Sequence, residues 1–158
     1  MVSLERKIVK WDGAEEAVVF PSGMAAISTM CLALLKPGDR MLVSDPIYGG
    51  AEHLFRHVLP EMGISCDFFP AGSSQATVAE LLREQPACKL VWVENPCNPL
   101  VQLTSIRAVA SAIEQSGSGA KLAVDNTFAG PVFHHPLKHG ADLCMYSMTK
   151  VGRWLAGR

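Results

Sequence analysis

Two stretches limit the fold most: "KLVWVEN" (89–95) and "KLAVDN" (121–126), each an almost unbroken apolar run. A strand that rests one face on a core and shows the other to water alternates apolar and polar residues. These runs do not alternate, so they belong to strands covered on both faces, as in a parallel sheet between layers of helices. Further β-rich runs predict strands over Arg40–Ser44, Cys66–Phe69, Leu90–Glu94, Leu122–Asp125 and Leu143–Met148. Helical patterns fall between them, over Leu4–Trp11, Met24–Lys36, Gly50–Leu59, Thr77–Gln85 and Ile106–Gln115. That alternation predicts an α/β fold, a mostly parallel sheet flanked by helices.

The second helix is unusual, because ten of the twelve residues from Met24 to Leu35 are apolar or alanine. A helix apolar nearly all round is expected to be buried. It starts at a polar Ser22–Gly23 corner and stops before Pro37–Gly38, since proline cannot continue a helix and glycine accepts a positive φ. With 158 residues the chain has room for one domain. Fourteen basic against fifteen acidic residues, with no basic stripe, give no footprint for nucleic acid. No apolar run is long enough to span a bilayer. The five scattered cysteines (Cys31, Cys66, Cys88, Cys97, Cys144) read as reduced thiols, and Met1–Lys7 contains no secretory h-region. Both features predict a cytoplasmic protein.

Several short motifs carry chemistry. In "FPSGMAAIS", Ser22 is a plausible N-cap, and the Gly23 and Met24 amides on the first helical turn would suit an anion. An ordinary capped helix has the same text. In "VDNTF", Asp125 closes an apolar strand at the edge where open α/β sheets place ligands. A carboxylate there is costly unless a cation pairs with it or water reaches it. "ENPCNPL" puts Asn98 in a proline-shaped loop, and "DPIYGG" puts the flat ring of Tyr48 beside two glycines that permit close approach. His134, His135 and His139 invite a zinc reading, but Pro136 interrupts them and no acid stands between them, so they read as loop histidines.

"MYSMTK" (145–150) admits two chemistries. Tyr146 and Lys150 have the Tyr-x-x-x-Lys spacing of short-chain dehydrogenases, but that reading needs a shared helix and a Gly-x-Gly-x-x-Gly fingerprint, which the chain lacks. The other reading joins Ser147 and Thr149, as phosphate ligands, to Lys150, as a lysine that forms a Schiff base. It requires an amine, phosphate donors, an acid for a ring nitrogen and a stacking aromatic. Lys150, the Gly23–Met24 corner with Ser147 and Thr149, Asp125 and Tyr48 meet those four needs, which are those of pyridoxal 5'-phosphate (PLP).

The serial text "SGMAAIS", "KPGDRMLVSDPIYGG", "HLFRHVLPEMGI", "VENPCNPL", "AVDNTFAGPVFHHPL" and "GADLCMYSMTK" resembles the Cys/Met-metabolism family of PLP enzymes, from about Leu4 to Lys150. This family includes cystathionine synthases and lyases, methionine γ-lyases and homocysteine-forming sulfhydrylases. The resemblance implies the large cofactor domain of the type I PLP-dependent fold. It implies that Gly23 and Met24 hold the phosphate with Ser147 and Thr149, and that Tyr48 stacks on the ring. Asn98 would contact the ring hydroxyl, Asp125 pair with the ring nitrogen and Lys150 bind the cofactor covalently. Lys150, Tyr48 and Asp125 would then be catalytic, the substrate a sulfur amino acid, and intact relatives homo-oligomers.

The match changes after Lys150, where family members continue with a Gly-Gly-His-Ser-Asp-like loop and this chain reads "VGRWLAGR". The expectation is therefore an incomplete PLP-binding domain over 1–150 followed by an atypical tail over 151–158. The family's N-terminal arm and C-terminal domain, which supply a Tyr and Arg to a neighbouring phosphate and an Arg to the substrate carboxylate, would be absent. Arg153 and Arg158 match none of those positions. Such a chain is expected to be crippled in turnover, or to be a non-catalytic product that binds PLP or pairs with a full-length homologue.

Overall fold

The computed structural model describes residues 2–150, so the atypical tail, with Arg153, Trp154 and Arg158, lies outside the described residues. Five parallel strands form one sheet: β1 (Arg40–Asp45), β2 (Ser65–Pro70), β3 (Cys88–Glu94), β4 (Lys121–Asp125) and β5 (Leu143–Met145). Their order is β2-β1-β3-β4-β5. The helices are α1 (Val2–Asp12), α2 (Gly23–Leu34), α3 (Gly49–His53), α4 (Leu59–Glu61), α5 (Gln75–Glu84), α6 (Ile106–Ser116) and α7 (Gly130–Phe133). A π-helical segment (Leu54–Val58) joins α3 to α4, and a 3-10 turn (Pro136–His139) precedes β5.

The unbroken apolar strands do feed two cores. Met41, Val43, Leu90, Trp92 and Ala123 point to one face and pack with Ile27 and Cys31 of α2 and with Ala51, Phe55 and Leu59. Leu42, Val91, Val93, Leu122 and Val124 point to the other, against Val78 and Leu82 of α5 and Val109 and Ile113 of α6. The period-two geometry of a strand sends neighbouring residues to opposite faces, so both faces must be apolar when both are covered. Trp92 is fully buried and meets Phe55 edge-on at 5.5 Å between ring centroids. Serines cap three helices, α2, α5 and α6: Ser22, Ser74 and Ser105 accept hydrogen bonds from the amides of Ala25, Thr77 and Ala108.

Three expectations change. α2 is not buried all round: Ile27 and Cys31 face the core, while Leu32 is 50% exposed and Leu34 is also exposed. The expected single helix over Gly50–Leu59 is three segments, with the π turn in its middle and Pro60 in its last piece. The last strand ends at Met145 rather than Met148, because the Ser147 amide turns to the Thr127 hydroxyl (2.8 Å) and the Lys150 amide to the Ser147 carbonyl (3.0 Å). Residues 148–150 are already helical.

The sheet order fixes where the chain reverses direction across the sheet. From β1 the chain moves outward to β2, then returns past β1 to β3 and continues to β4 and β5. The switch point lies between β1 and β3, and loops there diverge to leave a crevice at the carboxyl edge.

Candidate functional site

That crevice holds a cavity of about 230 Å³. Gly23, Met24, Tyr48, Asn98, Asp125, Ser147, Thr149 and Lys150, all singled out from the sequence, line it together. They arrive from five places: the start of α2, the loops after β1 and β3, the end of β4 and the turn after β5.

At the start of α2, the Ser22 side chain accepts from Ala25 N–H (3.1 Å) and its carbonyl from Ala26 N–H (3.1 Å). The Gly23 and Met24 amides, which have no intrahelical acceptor in a first turn, stand at the cavity wall. A Cβ on Gly23 would lie 3.3 Å from the Ser147 Cβ, so the missing side chain lets α2 and the post-β5 turn approach. The start of α2 thereby meets Ser147 at the cavity wall, which Thr149 also lines, a setting that suits a phosphate.

The lining also contains two acids, Glu94 and Asp125. Asp125 ends β4 only 5% exposed, and its Oδ1 accepts from the Thr127 amide at 2.9 Å. Burial raises its pKa, while the Thr127 hydrogen bonds and the Lys150 charge oppose that rise. Lys150 is the one basic side chain among the described residues lining the cavity. Tyr48 is the residue before α3, lines the cavity and is 43% exposed.

Two polar cavity residues escaped the sequence reading. Glu94 ends β3 beside Asp125 in the strand register, and Thr127 joins Asp125 to Ser147. The signal for Glu94 lay in the text, since "VWVEN" closes an apolar strand on an acid just as "LAVDN" does. Burial pushes the Glu94 carboxyl up to about 7; two backbone amides pull against that, and Asp125 reinforces it.

Tyr146 does not share a face with Lys150. Its hydroxyl donates to Asp12 (2.7 Å), at the end of α1, and accepts from Asn126 Nδ2 (3.2 Å). His134 bonds Asn126 through Nδ1 (2.9 Å) and stacks on His139, and no group that could hold a metal ion occurs among the described residues. The cysteines are free, and burial raises the thiols of Cys31 and Cys66 to about 12, which removes their thiolate reactivity. No described helix is long and apolar enough to cross a membrane.

The chain is similar to known proteins along nearly all of its length. The chain is 40% identical over 147 residues to cystathionine gamma-lyase of Bos taurus, covering 93% of itself and 35% of that enzyme. It is 38% identical to O-succinylhomoserine sulfhydrylase of Pseudomonas aeruginosa, covering 98% of itself and 38% of the relative. The crystal structure of metB from Corynebacterium glutamicum superposes with a TM-score of 0.85 at 37% identity, over 94% of this chain and 37% of that one. The chain thus spans little more than a third of the length of these relatives. Residues 1–158 match one enzyme family throughout. The chain belongs to the Cys/Met metabolism PLP-dependent enzyme family.

Proposed function

We propose that this chain carries the cofactor half of a transsulfuration-type site, which acts on sulfur amino acids by β- or γ-elimination or by γ-replacement. One observation supports this most: the amine, the phosphate donors, the ring acid and the aromatic that PLP requires all face one cavity at the switch point. The donor chemistry fits the group as well. Two buried carboxylates, Glu94 and Asp125, share the cavity with a single lysine, and a cationic ring would offset that surplus of negative charge.

In this reading the Gly23 and Met24 amides hold the phosphate, with the Ser147 and Thr149 hydroxyls beside them. Tyr48 covers a face of the ring and Asn98 meets its hydroxyl. Asp125 holds a proton on the ring nitrogen. When bound, PLP supplies an aldehyde that amines capture and a protonated ring that draws electrons from the substrate Cα. The Lys150 Nζ would anchor the group and would serve as the proton carrier between the substrate Cα and a neighbouring carbon. The Tyr48 hydroxyl donates or accepts a proton at the departing sulfur. Cystathionine, methionine, homocysteine or an O-acylhomoserine is the substrate class, in a cytoplasmic homo-oligomer.

The test is direct. Purified chain mixed with PLP should develop a visible absorption band, and borohydride should fix the label on Lys150. A label found mainly on Lys36 or Lys138, or an unchanged band in Lys150→Ala, overturns the assignment.

A second reading, a non-catalytic protein that binds PLP or joins a full-length homologue, is favoured by the cavity's charges. Lys150 is its lone described cation and is committed to the cofactor, so no guanidinium among the described residues there can clamp a substrate carboxylate. This reading predicts cofactor uptake without release of ammonia and 2-oxo acid from L-cystathionine. Rates like those of the full-length relatives would refute it.

A further inference from the structure

Glu94 entered the scheme above only through its charge, yet it joins the two loops that carry Tyr48 and Asn98. Its Oε2 accepts from the Tyr48 amide at 2.7 Å and its Oε1 from the Asn98 amide at 2.8 Å. One oxygen serves the loop after β1 and the other the loop after β3, on either side of the switch point. The residue itself is fixed, since its amide donates to Ser44 Oγ on β1 (3.2 Å) and its side chain is buried. Divergent loops at a switch point have no sheet hydrogen bonds to set their separation. Here one carboxylate sets it.

We propose that Glu94 is a positioning residue, which fixes the spacing of Tyr48 and Asn98 and so the slot for the PLP ring between them; this rests on the functional reading above. Only a carboxylate suits the task. Two N–H donors approach two separate oxygens, so both oxygens must accept. A glutamine of nearly the same shape offers one acceptor and one NH₂, and its NH₂ would face an N–H donor. A protonated glutamic acid likewise keeps one good acceptor. The fork is therefore tightest when Glu94 is ionised.

Its surroundings control that ionisation. Asp125 on β4 stands beside it in register and opposes its charge, and the same cavity holds Lys150 and the Tyr48 phenol. From α2 the cavity receives apolar Met24 and Ile27. No cation bonds Glu94 among the described residues. Burial therefore dominates and moves its titration to about 7. A cationic ring held by Asp125 would lower that value and tighten the fork as the cofactor binds, which couples loop spacing to occupancy.

The experiment uses the cofactor-free chain and PLP as the probe. In the wild type, the Tyr48 and Asn98 amide proton resonances should move together with pH through a midpoint near 7. In Glu94→Gln they should lose that titration, and at least one should exchange faster with solvent. Affinity for PLP, read from the visible band, should weaken roughly tenfold in Glu94→Gln at pH 8, the loss of one charge-assisted hydrogen bond. The gap between wild type and variant should narrow toward pH 6. Amides that titrate alike in both proteins overturn the fork, a result that needs no variant to bind anything. Equal PLP affinity with an unchanged pH profile would show Glu94 to be structural only and also overturn the proposal. A wild-type chain that takes up no PLP overturns the functional reading first, and this inference with it.

Discussion

Replacing Glu94 with glutamine swaps one oxygen for NH₂ and removes a buried charge, so its effect on stability must depend on pH. The carboxyl is 5% exposed, and its pKa rises from the ordinary 4.5 to about 7. Between those values the folded protein binds more protons at this site than the unfolded chain does. Stability therefore falls as pH rises, at up to about 1.4 kcal/mol per pH unit. The contribution of Glu94 is fully present below pH 4.5 and is lost as pH climbs through 7. A shift of this size amounts to about 3 kcal/mol in total, most of which falls between pH 5 and pH 8. Glutamine cannot ionise, so the variant escapes that loss, and like the protonated acid it keeps one good acceptor for the two amides. It should therefore be close to wild type in stability at pH 5 and more stable than wild type at pH 8. Urea denaturation of both proteins at pH 5, 6, 7 and 8, without cofactor, measures this. Histidines and other acids titrate in both proteins and cancel in the difference. A difference that stays constant across the range would refute the reasoning, because it would mean that Glu94 titrates near its ordinary value. An Asp125→Asn background should move the transition to lower pH, since the neighbouring charge contributes to the rise.

Three more outcomes follow from the geometry. Asp125→Asn should raise the stability of the cofactor-free protein by removing a buried carboxylate, while an amide beside the ring nitrogen lowers that nitrogen's pKa by about 1–3 units; denaturation midpoints and turnover in a full-length chimera check the two parts, and near-normal turnover would contradict the role given to Asp125. Gly50→Ala places a Cβ 2.6 Å from Tyr48 Cε1, and the half-exposed ring can swing away, so stability should change by less than about 1 kcal/mol while PLP affinity falls. An unchanged affinity would mean that the ring position of Tyr48 is unimportant. Gly140→Ala combines φ +97 with a Cβ 2.7 Å from the Ala110 Cβ and should cost about 1–3 kcal/mol; thermal unfolding of this variant and of its double with Ala110→Gly separates strain from contact, since the double relieves contact alone.

The sequence by itself determined the layers and pointed to most of the residues that line the cavity. Unbroken apolar runs required strands covered on both faces, because period two leaves such a run no side to give to water. Strand-end Asp125, the Ser22–Gly23–Met24 corner and the Ser147–Thr149–Lys150 turn were legible because each is a local motif whose chemistry is set within a few residues. Tertiary structure decided the rest. β5 stops at Met145 because Thr127, twenty residues earlier, captures the Ser147 amide, and no local propensity encodes that. α2 shows Leu32 to solvent although its composition suggested burial all round, since composition does not say how many sides of a helix find a partner. Glu94 joins backbone amides 46 residues and 4 residues away, and neither contact leaves a mark on side-chain identity at Tyr48 or Asn98. Those amides meet only because the order β2-β1-β3 sets the carboxyl ends of β1 and β3 side by side at the switch point, and a buried carboxylate there must take whatever donors the two loops present.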